Sequence, residues 1–142
     1  MDIRSVMTAN PATCTPDATL RQAAQMMKQH DCGQIPVVGQ DRQPLGVITD
    51  RDIAVRAVAE GGDPASATVG DYMTSPVTTV PSSCSLDDVA KVMEQGQIRR
   101  VVVIDDQGSV AGIVAQADIA RAGRDGKTAE VVRQVSEPGR SQ

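Results

Sequence analysis

The feature that most constrains this chain is an internal repeat, because a shift of 66 residues superimposes the second half of the sequence on the first. Self-similarity at a fixed spacing indicates two copies of one supersecondary unit, each burying its apolar face against a neighbour. The match includes Met7-Thr8 with Met73-Thr74, Leu20 with Leu86, Ala24 with Ala90, Met27 with Met93, Val37 with Val103, Gly46 with Gly112, and Asp52-Ile53-Ala54 with Asp118-Ile119-Ala120.

Each copy begins with the pattern of a short strand followed by an amphipathic helix. Prolines bound the strands predicted at 12–15 and 77–80, since proline marks strand ends. The helices follow, with apolar residues at i, i+3, i+4 and i+7 from Leu20 and again from Leu86. Asp17 is the predicted N-cap of the first helix, and Ser85 opens a capping box for the second.

Each copy ends with two apolar, β-branched runs and a second helix. The runs lie at 35–38 and 45–48, then at 101–104 and 110–114, and the helices are predicted to start near residues 50 and 116. The fold class is therefore α/β, with two tandem β-α-β-β-α repeats. The predicted boundaries are 1–59 for the first repeat, 60–68 for a Gly/Pro-containing linker, 69–122 for the second repeat and 123–142 for a polar tail.

Composition excludes several classes of partner. The formal charge of −4 and pI near 4.9 argue against binding to nucleic acid or an anionic membrane, since both attract basic surfaces. Tyr72 is the only aromatic residue, so bases have almost nothing to stack on. The start of the sequence is polar, and no apolar run approaches the roughly 20 residues of a spanning helix. We expect a soluble, cytoplasmic protein.

Nothing in the sequence suggests catalysis or a metal site. Cys14, Cys32 and Cys84 form no Cys-x-x-Cys pair, and His30 is the only histidine. No nucleophile has an evident base, and no G-x-x-x-x-G-K phosphate loop occurs. The protein is therefore predicted not to be an enzyme and to hold no metal.

The most informative stretch is Gly46-Val47-Ile48-Thr49-Asp50-Arg51-Asp52, where an apolar strand runs directly into a helix. One interpretation is structural, because Thr49-x-x-Asp52 is a capping box. The other is a ligand site, because free amides and the helix dipole attract phosphate at a helix N-terminus. The second copy has Ala115 where the first has Thr49, yet it keeps Asp118. An aspartate retained without its capping hydroxyl favours a contact with a sugar.

These motifs together resemble a cystathionine β-synthase (CBS) domain, twice over. The resemblance rests on Val6-Met7-Thr8, Ile35-Pro36-Val37-Val38 and the stretch from Gly46 to Asp52, and on their counterparts Tyr72-Met73-Thr74, Ile98 to Asp105, and Gly112 to Asp118. It covers roughly residues 3–122. It implies a Bateman module, in which two CBS repeats related by a pseudo-twofold axis form two clefts. In this family G-h-h-[ST]-x-x-D contacts the ribose and phosphate of AMP, ADP, ATP, NAD or S-adenosylmethionine, and the nucleotide is a regulatory ligand and not a cofactor.

The resemblance assigns residues to both clefts. In the first, Thr49, Arg51 and Asp52 are expected to face the other repeat at Val80, Arg99, Arg100, Val101 and Val102. In the second, Ala115 and Asp118 are expected to face Thr15, Gln34, Ile35 and Pro36. The second cleft lacks the hydroxyl, and Gln34 stands where the other copy has Arg100. The first cleft is therefore expected to bind adenine nucleotide more tightly.

The leading hypothesis for function is a nucleotide sensor whose ligand changes its affinity for a regulated protein, which the sequence does not identify. The alternative is a ligand-independent interaction module of the same fold, in which Thr49-x-x-Asp52 only caps a helix. We also expect a homodimer, because Met26 and Val92 widen the apolar stripe of each first helix and Ile53, Ala54, Ala57 and Val58 make each second helix apolar.

Overall fold

The computed structural model describes residues 2–123, so the expectation for the polar tail from residue 124 onward lies outside the described residues. These described residues form two sheets and four α-helices, with short 3-10 helices at Ile3–Ser5 and Gln40–Arg42 and a π-helix at Asp52–Val58. The strands and helices are β1 (Thr8–Ala9), α1 (Leu20–His30), β2 (Gln34–Val38), β3 (Pro44–Thr49), α2 (Val69–Tyr72), β4 (Thr79–Pro81), α3 (Leu86–Gly96), β5 (Arg100–Ile104), β6 (Val110–Ala115) and α4 (Gln116–Gly123).

The N-cap of helix α1 lies two residues later than predicted. Thr19, not Asp17, is its N-cap: Thr19 Oγ1 accepts the N–H of Gln22 at 3.1 Å, and Gln22 Oε1 accepts the N–H of Thr19 at 2.9 Å. This reciprocal box satisfies two backbone amides at once, which a lone aspartate cannot do. The Asp17 carboxylate instead accepts a hydrogen bond from the Thr15 hydroxyl, and this hydrogen bond lowers the pKa of Asp17. Ser85 caps α3 as predicted.

One sheet holds the two inner strands of the first repeat. Strands β2 and β3 are antiparallel, with Gln34 opposite Thr49 and Ile35 opposite Ile48. The strand predicted at 12–15 is reduced to a single bridge between Cys14 and Val37. Pro11 and Pro16 lie on either side of this segment and lack the N–H that strand pairing requires. The strand pairing therefore cannot extend beyond the segment.

The other sheet has four strands in the order β1-β6-β5-β4. Strand β4 runs parallel to β5 with Val80 opposite Val103, and β1 runs antiparallel to β6 with Thr8 opposite Ile113. The strand predicted at 77–80 is β4, shifted by one or two residues toward the C-terminus. The order of elements predicted for the second repeat (strand, helix, strand, strand, helix) is confirmed as β4, α3, β5, β6 and α4.

The chain divides into two compact units that do not coincide with the sequence repeats. The first-repeat unit comprises 11–77 with 108–110, and the second-repeat unit comprises 2–10, 78–107 and 111–123 among the described residues. Strand β1 therefore belongs to the sheet of the second repeat. The corresponding segment of the second repeat is held in the first-repeat unit, where Thr74 bridges Val47. Each repeat thus contributes its opening segment to the other unit.

Each unit has its own apolar core. Ile35, Val37 and Ile48 pack with the buried face of α1 in the first-repeat unit, and Met26 and Ile53 pack against that cluster while only partly buried. In the second-repeat unit Val92 packs against its cluster in the same way. Met26 and Val92, which widen the apolar stripe of each first helix, therefore pack at least partly against the core of their own unit. The core residues of the second unit are Ile3, Val80, Val89, Ala90, Met93, Val101, Val103, Val114 and Ile119.

The glycine that opens each strand-to-helix motif permits a close strand approach. A Cβ on Gly46 would lie 2.6 Å from the carbonyl oxygen of Thr74, and one on Gly112 would lie 2.9 Å from that of Thr8. Contacts this short with backbone atoms require the strands to move apart. Glycine at these positions therefore allows the opening segment of each repeat to pair with the unit that holds it.

The helix after β3 starts at residue 50, as predicted, and takes π geometry over Asp52–Val58. π-Helical turns are uncommon and recur at functional sites. Helix α4 starts at Gln116, also as predicted. Within residues 2–123, no helix combines the length and apolar character needed to cross a membrane.

Candidate functional site

The first junction, residues 46–52, forms a complete capping box. Thr49 ends β3 and Asp52 opens the π-helix. Thr49 Oγ1 accepts the N–H of Asp52 at 3.0 Å, and Asp52 Oδ2 accepts the N–H of Thr49 at 3.0 Å. Thr49 and Asp52 therefore form the predicted capping box. If they also bind a ligand, they do so in addition to capping the helix.

The Asp52 carboxylate is buried, with a residue exposure of 6%. The hydroxyl of Thr74 donates to it at 3.3 Å from Oδ1 and 3.4 Å from Oδ2, and Arg56 lies 3.6 Å from Oδ1. Arg56 also donates to the carbonyl of Tyr72 at 2.8 Å. A buried charge needs partners of this kind, because desolvation without compensation is costly.

The first junction retains groups that can bind a ligand. The Thr49 hydroxyl accepts one hydrogen bond and still has a hydrogen to donate, and a carboxylate has about four acceptor positions. Gln34 stands opposite Thr49 on the neighbouring strand, which brings these two predicted site residues together in one unit. Arg51 is exposed, and its backbone N–H donates to Asp50 Oδ1 at 2.8 Å.

The second junction, residues 112–118, keeps half of the capping box. Asp118 Oδ2 accepts the N–H of Ala115 at 2.7 Å, and Arg121 forms an ion pair with Asp118. Asp118 thus has a helix-capping role even without a hydroxyl partner, and its contact with a sugar stays a prediction. The carboxylate half of the box needs only a backbone N–H, which alanine supplies. Asp118 is buried, with an exposure of 8%.

A cavity of about 360 Å³ lies at the second junction. Its lining includes Arg99 and Arg100 from the entry to β5, and Ala115 from the end of β6. The backbone N–H of Gln116 donates to the Arg99 carbonyl at 2.7 Å, which holds the strand entry against the start of α4. The structure thus brings both arginines to the junction of their own repeat. Their assignment to the first junction stays a prediction. The remaining lining residues are Gln116, Ala117 and Ala120.

The apolar residues assigned to the clefts fall on two faces of their sheets. Val80, Val101 and Ile35 belong to the core clusters, so only their backbone groups are available to a ligand. Pro36 and Val102 are buried but occupy the alternate positions, whose side chains point to the opposite face of the strand. Thr15 is exposed and donates to Asp17.

Sequence reasoning missed Thr74 and Arg56 as partners of Asp52. Arg56 lies one turn after Asp52 on the same helix, at a spacing typical of ion pairs, and could have been found from that spacing. Thr74 is 22 residues away in sequence and belongs to the next repeat, so no local pattern predicts its contact. The repeat comparison aligned Thr74 with Thr8 but gave neither residue a role.

The described residues show no metal-binding cluster. Within 2–123, no group of three or more His, Cys, Asp or Glu side chains comes together. Cys14 is buried, Cys84 is partly buried and Cys32 is exposed. Burial raises the pKa of the Cys14 thiol to about 11, and burial with the nearby Asp88 charge raises that of Cys84. Neither environment favours a thiolate ligand.

Comparison with known families identifies the repeat. The CBS domain model matches the chain twice, over residues 3–58 and 69–125. The chain belongs to the CBS-domain family. These matches follow the two sequence repeats, and the folds of solved CBS pairs agree with the mixed α/β architecture seen here.

Several relatives are stand-alone proteins of similar length. Hypoxic response protein 1 of Mycobacterium tuberculosis is 41% identical over 118 residues, which are 83% of this chain and 82% of the relative. The CBS domain-containing protein YhcV of Bacillus subtilis is also 41% identical over 118 residues, with 83% and 82% coverage.

Three solved structures add information about ligands. Hypoxic Response Protein I, with two coordinated zinc ions, has a TM-score of 0.76 at 38% identity, covering 85% of this chain and 98% of that one. The CBS pair of MJ0100, in complex with 5′-methylthioadenosine and S-adenosyl-L-methionine, has a TM-score of 0.79 at 29% identity, with 89% and 98% coverage. PAE2072 from Pyrobaculum aerophilum, complexed with AMP, has a TM-score of 0.73 at 25% identity, with 84% and 90% coverage.

Proposed function

We propose that this CBS pair is a regulatory module that binds an adenine nucleotide and changes its affinity for a partner protein in response. The observation that carries the proposal is the first junction, where a threonine hydroxyl and a buried carboxylate meet at the start of a helix. A hydroxyl suits a phosphate, and a carboxylate suits the two hydroxyls of a ribose. The adenosine compounds bound by MJ0100 and PAE2072 support this ligand class.

The second junction is proposed to bind ligand through different groups. It lacks the threonine hydroxyl, but its cavity includes the two positive charges of Arg99 and Arg100. Arginine side chains bind phosphate through charge-assisted hydrogen bonds. We therefore expect the two junctions to differ in the phosphate charge that they favour, with AMP favouring the first and more highly charged nucleotides gaining affinity at the second.

A ligand-independent interaction module is the second candidate. The observation in its favour is that the reciprocal hydrogen bonds of Thr49 and Asp52 fully account for both residues as a helix cap. On this interpretation the aspartates stabilise the helices and the partner protein recognises the fold without a nucleotide. No catalytic step is part of either candidate, and incubation with ATP or NAD is expected to yield no product.

Isothermal titration with AMP distinguishes the candidates. We expect the wild-type protein to bind AMP, Asp52→Ala to abolish the tighter phase, and Asp118→Ala to spare that phase. Asp52→Asn is the matched control, because an amide oxygen still caps the helix but accepts less strongly from ribose hydroxyls. If Asp52→Asn binds AMP as the wild type does while Asp52→Ala unfolds, Asp52 is only a cap and the ligand role fails.

A further inference from the structure

Thr74 connects the candidate ligand carboxylate to the segment that leads into the second repeat. Its backbone exchanges two hydrogen bonds with Val47, at 2.8 Å and 3.0 Å. Its hydroxyl lies within 3.3 Å and 3.4 Å of the two carboxylate oxygens of Asp52. The chain continues from Thr74 through Ser75 and Pro76 to β4 of the second-repeat unit. One side chain therefore joins Asp52 to the segment of the second repeat that leads from one unit into the other.

The contact between Thr74 and Asp52 is the weak member of a crowded set. Hydroxyl donors to oxygen commonly lie at about 2.7–2.8 Å, so distances of 3.3 Å and 3.4 Å are long. The Thr49 amide, at 3.0 Å from Asp52, has an ordinary length and is part of the helix cap. Since Asp52 is only 6% exposed, a ligand diol can reach it fully only by displacing an existing partner. Of the two groups that donate hydrogen bonds to Asp52, the Thr49 amide and the Thr74 hydroxyl, the hydroxyl is the easier to displace.

We infer that Thr74 competes with the ligand for Asp52, so that nucleotide binding releases the Thr74 side chain and loosens the segment around residues 72–76. The inference rests on the proposed function at the first junction. Arg56 extends the effect, because it lies against Asp52 and also donates to the Tyr72 carbonyl at 2.8 Å. A ligand hydroxyl that binds Asp52 thus affects two contacts to the segment 72–76: the Thr74 hydroxyl on Asp52 and the Arg56 side chain on the Tyr72 carbonyl.

The second repeat provides the matched control. Thr8 occupies the position equivalent to Thr74, and it lies in β1 opposite Ile113. Within the part of the chain that the structure describes, no hydrogen bond joins Thr8 to Asp118, whose carboxylate is held by Ala115 and Arg121. The competition is therefore a property of the first junction alone.

The first arm of the test measures AMP affinity by calorimetry for Thr74→Val, Thr74→Ser and Thr8→Val. Valine preserves the shape of threonine and removes the competing hydroxyl. Thr74→Val is expected to bind AMP about three- to fivefold more tightly, the effect of losing one weak hydrogen-bond competitor. Thr74→Ser and Thr8→Val are expected to match the wild type. Weaker binding by Thr74→Val, or an equal change in Thr8→Val, overturns the inference.

The second arm measures hydrogen exchange at the backbone amides of Val47 and Thr74, which donate to each other's carbonyls. AMP is expected to accelerate exchange at both amides in the wild type and to have no such effect in Thr74→Val. Slower or unchanged exchange in the AMP-bound wild type overturns the inference while leaving AMP binding intact. A wild-type protein that binds no AMP overturns the proposed function, and the competition fails with it.

Discussion

The Asp118 carboxylate accepts the backbone N–H of Ala115 at 2.7 Å, although Ala115 has no hydroxyl to offer in return. Half a capping box is therefore enough to place an aspartate at this position. At the first junction the same geometry is reciprocal, and Asp52 has the Thr74 hydroxyl as a further partner. The two aspartates differ in how much of the surrounding structure depends on them.

Replacing each aspartate by alanine is expected to reveal that difference in the free energy of unfolding. Asp118→Ala removes one cap contact and the ion pair with the exposed Arg121, which contributes little, and should cost about 1 kcal/mol. Asp52→Ala also leaves the Thr74 hydroxyl and the Thr49 amide without their acceptor in a buried site, and should cost about 2–3 kcal/mol. Urea denaturation measures both values.

The asparagine variants are the controls for this pair. Asp52→Asn and Asp118→Asn retain an acceptor for the backbone N–H and are expected to recover part of each loss. Equal destabilisation by the two alanine variants would contradict the larger structural role given to Asp52.

The repeat made most of the fold predictable. Leu20 and Leu86 start equivalent amphipathic helices, and the β-branched runs became β2, β3, β5 and β6 with bounds close to those expected. These elements follow from local periodicity, which a sequence displays directly. The cap of α1 was predicted wrongly because two suitable residues compete, and Thr19 wins through Gln22 three residues later.

Contacts between distant segments were not predictable in this way. Strand β1 has only two residues, so its pairing with β6 depends on tertiary context and not on its own pattern. The bond from Thr74 to Asp52 likewise crosses from one repeat to the other. At the site, the sequence identified Thr49 and Asp52 but not the segment that holds Asp52 in place.

The buried thiol of Cys14 is expected to make stability fall at alkaline pH. Burial raises its pKa from the ordinary 9.0 to about 11. Between these values the unfolded chain has released the proton while the folded chain retains it. The folded state then binds more protons, so the free energy of unfolding falls as pH rises through this window.

Urea denaturation at pH 7.5 and 10.5 tests this expectation against a Cys14→Ala control. The two proteins share every other ionisable group, so the difference between them isolates Cys14. The wild type is expected to lose about 1–2 kcal/mol more than Cys14→Ala over this range. Identical losses would mean that the Cys14 thiol is as accessible in the folded protein as in the unfolded chain.

The π-helix presents an apolar face for the expected homodimer. Val55 and Val58 are 48% and 58% exposed, whereas Ala57, which the sequence placed in the same interface, is fully buried in the core. Both valines therefore leave apolar surface exposed on this helix. We expect Val58→Asp to shift the protein toward a monomer near 14.9 kDa in sedimentation velocity.

Leu45→Asp is the control for the dimer, because Leu45 is also exposed but lies on β3, away from this helix face. It is expected to leave the sedimentation coefficient unchanged. A wild-type protein that sediments only as a monomer at tens of micromolar, or a dimer that survives Val58→Asp, would contradict an interface at this helix.

The variants Arg100→Gln and Gln34→Arg are expected to shift the preference for ATP from the second junction toward the first. These residues occupy equivalent positions at the starts of β5 and β2, and Gln34 lies opposite Thr49 at the end of β3. Arg100 lines the cavity at the second junction together with Arg99. An arginine that binds phosphate contributes about 1.5–3 kcal/mol, and solvent exposure reduces this value.

Calorimetry with ATP on an Asp52→Asn background isolates the second junction, and an Asp118→Asn background isolates the first. Arg100→Gln should weaken ATP binding at the second junction by about fivefold or more, with a smaller effect on AMP, because each added phosphate charge strengthens the attraction. Gln34→Arg should strengthen ATP binding at the first junction, and both effects should shrink as salt rises. If Arg100→Gln instead weakens binding only where Asp118 is mutated, Arg100 serves the first junction, and the assignment across repeats is correct.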